Sequence, residues 1–283
     1  MKRLMTIVLS LCLLVMSSVA MAASLGTDIG SGDITVHGFG VMPPNAVNPA
    51  QARMMARRAA VADAYRQLAE AVQGVNVDAN TTVQNMMVVN DTINTKVSAL
   101  VRGARIVGEN MVPDGGYEVV VTLPVYGANG VASAVLQPNT AIEAFPAPQS
   151  SDYNATNGGS SAADPRGKAT MKVKAQGDFT GVIIDCSGLG LRTAMSPVIM
   201  TEGGQKVYGY KNLDYQKVIS KGMAGYVSEN GSSPRAGSKP LILRAVSVDN
   251  GVNPVISQAD ADKMLVENQL SHFLDQCNVV FVR

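Results

Sequence analysis

The stretch "DGGYEVVVTLPV", residues 114–125, decides how the first half of the chain folds. Its Asp-Gly-Gly start is a turn signal between two strand-like runs, which predicts a β-hairpin. Every second residue of the second run is a large apolar one: Tyr117, Val119, Val121, Leu123 and Val125. This alternation is typical of a strand in an antiparallel sheet that buries one face.

An alanine-rich helix is predicted before the hairpin. Asn48 and Pro49 provide a cap and a first helical residue, and Gly74 is a stop signal. Its apolar residues fall on one narrow stripe, which predicts packing on a flat surface such as a sheet. The stripe consists of Met54, Val61, Tyr65, Leu68 and Val72. We interpret residues 75–89 as extended, and Asp91 as the cap of a second short helix.

Three segments together carry a family resemblance: "ITVHGFG" at 34–40, "RRAAVADAYRQLAEAVQGVNVDANTTV" at 57–83 and "VRGARIVGENMVPDGGYEVVVTLPV" at 101–125. In this order they resemble the family of the twenty-kilodalton bacterial lipoprotein. Flagellar outer-membrane accessory proteins P and T contain similar domains. The resemblance, over roughly residues 34–125, implies a cell-envelope protein and brings no catalytic residues with it.

A proline-, serine- and glycine-rich segment, residues 137–168, divides the chain. It has few large apolar residues to bury, so we expect a disordered linker. The remaining boundaries are a signal peptide at 1–22, a lipoprotein-family-like domain at 23–136 and a second domain at 169–283. The expected class is α+β, with two small domains joined by a flexible linker. In each domain, helices pack on one face of a mainly antiparallel sheet.

In the second region, "GVIIDCSGLGL" at 181–191 raises the question of chemistry. Its two glycines lack the third glycine of a dinucleotide loop, since Thr193 stands there, and Pro197 is unsuited to the interior of a following helix. No P-loop lysine motif occurs anywhere in the chain. We therefore interpret the stretch as a core strand and its turn, and predict no cofactor.

Cys186 lies within this stretch and leaves two hypotheses open. One is a thiol nucleophile with His272 as its base, which requires the two side chains to meet. The other is a disulfide between Cys186 and Cys277, or two free thiols, which sequence alone does not separate. Metal binding is not expected, because the cysteines and histidines show no ligand spacing.

The first residues combine Lys2 and Arg3, an apolar run and small residues around Ala22. This pattern predicts a signal peptide cleaved after Ala22. Cys12 follows the bulky Leu11 inside the apolar run, so we do not expect it to be a lipid-attachment cysteine. We expect export to the periplasm or outer membrane, with no transmembrane segment in the mature chain. Its near-neutral charge argues against nucleic-acid binding.

The leading hypothesis is a non-catalytic, exported accessory protein that acts through protein contacts. Its expected partners are envelope or flagellar proteins, or a second copy joined at exposed sheet edges. The alternatives are a thiol hydrolase using Cys186 and His272, and a small-ligand or peptidoglycan-binding module.

Overall fold

The computed structural model describes residues 32–113, 115–149, 153–154, 173–228 and 233–283. The predicted signal peptide of residues 1–22, its cleavage site at Ala22 and much of the predicted linker lie outside these ranges.

The first domain is a three-stranded antiparallel sheet with a long helix on one face. Its elements are β1 (Asp33–Val41), α1 (Pro49–Gln73), α2 (Val83–Val89), α3 (Asp91–Arg102), β2 (Arg105–Met111), β3 (Gly116–Pro124) and α4 (Val131–Val135). The strand order is β1-β3-β2, and both pairs are antiparallel. The predicted hairpin and the predicted start of α1 are present: the Asn48 side chain accepts a hydrogen bond from the Gln51 backbone N–H.

The face by which α1 packs on the sheet differs from the predicted stripe. Leu68 and Val72 are buried as expected, but Met54 is 60% exposed. The rest of the buried face consists of alanines: Ala52, Ala56, Ala60, Ala64 and Ala71. Small side chains let the helix backbone lie close against β1, and an apolar stripe search passes over them because they contribute little hydrophobicity.

Residues 83–89, which we interpreted as extended, form the short helix α2. The Thr82 side chain caps it by accepting a hydrogen bond from the Asn85 backbone N–H. The valine-rich composition favours a strand, but this cap and packing beside α3 favour the helix instead.

The second domain contains two four-stranded sheets. Its elements are β4 (Tyr153–Asn154), β5 (Val173–Lys174), β6 (Gly181–Asp185), β7 (Ile199–Thr201), β8 (Lys206–Tyr208), α5 (Tyr215–Lys221), β9 (Gly225–Val227), β10 (Pro240–Arg244), β11 (Ser247–Asp249), β12 (Asn253–Ile256), α6 (Gln258–Ser271) and β13 (Val279–Val282). One sheet has the order β10-β6-β13-β9, and the other has the order β11-β12-β7-β8. Strands β4 and β5 pair with each other.

The α+β class with two domains is confirmed, but the sheet type of the second domain is corrected. All pairs in the β10-β6-β13-β9 sheet are parallel. Its central strands β6 and β13 are short apolar runs with few exposed positions. Such runs are typical of parallel strands covered on both faces, whereas we expected the alternation of an antiparallel sheet.

The first part of the predicted disordered linker, residues 137–149, lies ordered along the second domain. The Asn139 side chain donates hydrogen bonds to the carbonyl oxygens of Tyr210 and Leu213, and the Phe145 ring stacks on Tyr208 with centroids 6.3 Å apart. Composition predicted disorder because the segment has little to bury by itself. Contacts with backbone carbonyl oxygens and with an aromatic ring of the second domain order the segment instead.

The two domains also contact each other directly. The backbone N–H groups of Met195 and Ser196 donate to the carbonyl oxygens of Asn76 and Val77. Buried residues of both domains belong to one continuous hydrophobic cluster. The interface is therefore a packed one, and it forms the walls of a cleft described below.

Candidate functional site

Cys186 lies just beyond the carboxyl end of β6 and is fully buried. Its Sγ lies 3.8 Å from the Ile184 carbonyl oxygen. Burial, together with the neighbouring Asp185 carboxylate, raises the pKa of the Cys186 thiol to about 12. A thiol in this environment is protonated at neutral pH and is a poor nucleophile.

His272 does not meet Cys186. It ends α6 in a left-handed conformation, and its Nδ1 lies 3.7 Å from Asp275 Oδ2 at the surface. Backbone bonds from Asn278 N–H to Phe273 O, and from the Val182 N–H to Asn278 O, place this region at the amino end of β6. Cys186 follows the carboxyl end, so the structure does not support the pairing that a thiol hydrolase needs.

The pairing of β6 with β13 also separates Cys186 from Cys277. Both are buried free thiols. Val279, two residues after Cys277, pairs with Val182 at the amino end of β6. Val182 and Cys186 alone are about 13 Å apart along the strand, at about 3.3 Å per residue. A disulfide requires Cα atoms within about 7 Å. The disulfide alternative is therefore wrong for this structure, and the free-thiol alternative holds.

Alkylation tests this arrangement. At pH 8 we expect iodoacetamide to modify neither cysteine of the folded protein, because only about one Cys186 thiol in ten thousand is ionised when the pKa is about 12. In denaturant without reductant we expect both to be modified, as mass spectrometry would show. A requirement for reductant, or fast native labelling of Cys186, would contradict the arrangement.

A cavity of about 760 Å³ lies near the amino ends of β6 and β9 and is lined by Lys221 and Arg235 among others. The Arg235 guanidinium donates to the carbonyl oxygens of Gly222 (3.0 Å), Cys277 (3.2 Å) and Lys221. Lys221 Nζ donates to Asn278 Oδ1 at 3.2 Å, and burial lowers the pKa of Lys221. These donors already have acceptors, at the end of α5 and in the turn before β13, so we interpret the pair as structural.

A larger cleft of about 780 Å³ lies between the domains. Residues 78–81 of the first domain and residues 143, 144 and 146 of the ordered segment line it, together with the second sheet of the second domain. Its polar residues are Asp78, Asn80, Thr81, Glu143, Ser196, Lys206, Tyr210, Lys211, Asn212, Asp249, Asn250 and Asn253. Such a mixture of amides, hydroxyls and both charge signs suits a polar ligand.

The outer edge of β1 is blocked by side chains of α1. Asp63 Oδ2 accepts a hydrogen bond from the Phe39 backbone N–H at 3.0 Å, and Gln67 Nε2 donates to the His37 carbonyl oxygen at 2.9 Å. Gln67 Nε2 also donates to Asp63 Oδ2 at 2.8 Å. Two of the groups that an added strand would need are thus already occupied, which protects this edge from further pairing.

The outer edge of β2 has no comparable cover within the described ranges. β2 pairs only with β3 there, and most of its residues are exposed. Val107 stands at the bulge between Ile106 and Gly108 and is 51% exposed. Arg57 of α1 binds Glu109 through two guanidinium nitrogens, which fixes the strand to the domain. The strand is therefore firmly held, and no side chain of the described residues occupies its outer edge as Asp63 and Gln67 occupy that of β1.

The face of this sheet that points away from α1 is also uncovered by the described residues. Phe39 is 55% and Val41 81% exposed on it. His37 Nδ1 lies 2.8 Å from Glu118 Oε1 on the neighbouring strand. Together with the β2 edge, this face leaves much of the first sheet exposed within the described residues.

These residues define a two-domain α+β protein with an open strand edge and a polar cleft between the domains. Residues 29–124 match the family described as LPP20 lipoprotein, and residues 181–283 match the family described as Treponema pallidum Tp0624, second domain. None of the curated proteins compared with the chain matches it. The resemblance predicted for residues 34–125 is confirmed. The first match shows a likeness to envelope lipoproteins, and neither match assigns a catalytic role.

Two further observations concern only the described part of the chain. It holds no cluster of three or more histidine, cysteine and acidic side chains placed to bind a metal ion. None of its helices combines the length and the apolar character needed to cross a membrane.

Sequence reasoning missed both the cleft and the difference between the two sheet edges. The cleft arises where the two domains meet, and no local pattern encodes that meeting. Asp63 and Gln67, which block β1, stand four residues apart on α1 and therefore share a face. Such a polar pair on an alanine-rich helix could have predicted that α1 blocks the edge of β1.

Proposed function

We propose that this protein is a non-catalytic, exported accessory protein of the cell envelope that acts through protein contacts. Its partners are flagellar or outer-membrane proteins, with a second copy of the chain as a further partner. The family matches support the envelope setting. The burial of Cys186 and its separation from His272 support a role without thiol catalysis.

The observation that carries this proposal is the contrast between the two edges of the first sheet. Side chains of α1 satisfy edge groups of β1, while β2 keeps its outer edge accessible among the described residues. A protein that only needed to avoid aggregation would benefit from covering both edges. An open edge accepts a partner strand through backbone hydrogen bonds, and neighbouring side chains give that addition its specificity.

Placing lysine on the open edge tests the proposal. We expect Val107→Lys to reduce the recovery of cross-linked envelope partners about tenfold, because a buried ammonium opposes strand addition. The exposed side chain of Val107 means that the free energy of unfolding should change by less than about 0.5 kcal/mol. Quantitative mass spectrometry of the cross-linked species measures the first effect, and thermal unfolding measures the second.

Val47→Lys is the matched control, since Val47 is an exposed valine in the loop before α1. It should leave recovery unchanged. The proposal is wrong if Val107→Lys recovers flagellar or outer-membrane proteins in the same amounts as the unchanged chain. Sedimentation of both variants reports whether a second copy is one of the partners.

A further inference from the structure

We propose that the interdomain cleft binds a short peptide with free ends, extended across the second sheet of the second domain. This inference goes beyond the protein-contact function, because it concerns a different surface and a small ligand.

The strand order fixes the direction and length of the site. Asp249 lies on β11 and Lys206 on β8, which are the two edge strands of the sheet β11-β12-β7-β8. Three strand spacings of about 4.8 Å, with an offset of two residues along the strands, separate their Cα atoms by about 16 Å. An extended chain covers about 3.3–3.6 Å per residue, so this span suits four or five residues.

The two ends of the cleft carry opposite charges that are available to a ligand. Lys206 forms no ion pair with a carboxylate of the described residues, and Asp249 forms none with a described cation. Asp249 Oδ2 accepts hydrogen bonds only from neutral amides, at 2.9 Å from Asn250 and 3.4 Å from Asn253. A terminal ammonium at Asp249 and a terminal carboxylate at Lys206 complement these charges.

The middle of the cleft suits a peptide backbone. Met200 on β7 and Val198 just before that strand line it with apolar side chains, and Asn80 and Ser196 line the same cavity with polar groups. Tyr210 is the one aromatic residue among the described lining residues, which gives little stacking surface for sugar rings. Amide and hydroxyl groups beside small apolar surfaces favour a peptide over a glycan.

Both walls of the cleft are held in place without a ligand. Asn212 Nδ2 donates to the carbonyl oxygens of Glu143 and Ala144, which fixes the wall formed by the ordered segment. On the other side, the Ser196 N–H donates to the Val77 carbonyl oxygen just before the loop at 78–81. A preformed site spends little binding energy on ordering itself.

Calorimetric titration of the full chain with tetra-alanine tests the proposal. We expect N-acetylation or C-amidation of the peptide each to weaken binding about tenfold. Asp249→Asn should weaken binding of the free peptide about tenfold and leave binding of the N-acetylated peptide unchanged. Lys206→Gln should likewise weaken binding of the free peptide about tenfold and leave binding of the C-amidated peptide unchanged. Together these results would place the terminal ammonium at Asp249 and the terminal carboxylate at Lys206.

Lys96→Gln, on the exposed side of α3, is the control and should leave all affinities unchanged. Thermal unfolding verifies that each variant is folded. The inference is overturned if tetra-alanine does not bind at millimolar concentration, if blocking its ends has no effect, or if an N-acetylglucosamine tetramer binds more tightly.

Discussion

Replacing Gly38 with alanine should destabilise the first domain by about 3 kcal/mol or more. A methyl carbon at this position would lie 2.6 Å from the Ala64 Cβ, and still closer to the Ala60 carbonyl oxygen and the Ala64 backbone nitrogen. Two of these atoms belong to the helix backbone and cannot move aside as a flexible side chain does. Either β1 or α1 must therefore shift. Chemical denaturation followed by circular dichroism measures the loss.

Gly108→Ala is the matched control within the same sheet. A methyl carbon there would meet Val120 Cγ2 at 3.5 Å, which is ordinary van der Waals contact. It should change the free energy of unfolding by less than about 1 kcal/mol. If Gly38→Ala proved as mild as Gly108→Ala, the close approach of α1 to β1 would be refuted.

Gly40 shows that this close approach is a pattern and not an isolated contact. A methyl carbon at Gly40 would lie 2.7 Å from the Ala60 backbone nitrogen and nearer still to the Ala56 carbonyl oxygen. Alternate glycines of β1 thus face the fully buried alanines Ala56 and Ala60 of α1. The pairing brings Asp63 and Gln67 to the β1 edge, so the same contacts that stabilise the domain also close one of its edges.

Local patterns predicted the features that depend on neighbours in sequence. The Asn48 cap fixes the start of α1, and the turn at Gly115 fixes the hairpin, because each acts over only a few residues. The paired role of Gly38 and Ala60 was not predicted, since it joins positions far apart in the chain and neither residue is notably hydrophobic.

Features that depend on long-range pairing were missed or mistaken. The parallel pairing of β6 with β13 joins strands almost a hundred residues apart, and the apolar runs alone do not reveal strand direction. Ordering of residues 137–149 depends on acceptors such as the Tyr210 carbonyl oxygen, which belong to the other domain. The cleft depends on such long-range contacts too, because the ordered segment forms one of its walls.

Helix α6 holds the chain on both sides of residues 150–172. The buried Asp262 carboxylate accepts a hydrogen bond from the Gln149 backbone N–H at 2.8 Å. Five residues further along α6, Glu267 accepts hydrogen bonds from the backbone N–H groups of Gln176 and Gly177, at 2.8 to 3.0 Å. Two buried carboxylates on one helix thus hold the backbone at residue 149 and at residues 176–177.

We expect Glu267→Ala to lower the free energy of unfolding by about 3 kcal/mol, because the backbone N–H groups of Gln176 and Gly177 lose a charged acceptor. Glu267→Gln keeps one acceptor oxygen and should cost roughly half as much. Denaturant titration measures both losses. Glu202→Ala, at an exposed hairpin turn, is the control and should have almost no effect.

Hydrogen exchange separates this local anchoring from a general loss of stability. In Glu267→Ala, the amides of Gln176 and Gly177 should lose protection while the amide of Gln149 keeps it, since Asp262 still binds Gln149. In Asp262→Ala the pattern should reverse. Equal loss at both places in either variant would mean that α6 anchors the two ends as one unit, and not through two independent carboxylates.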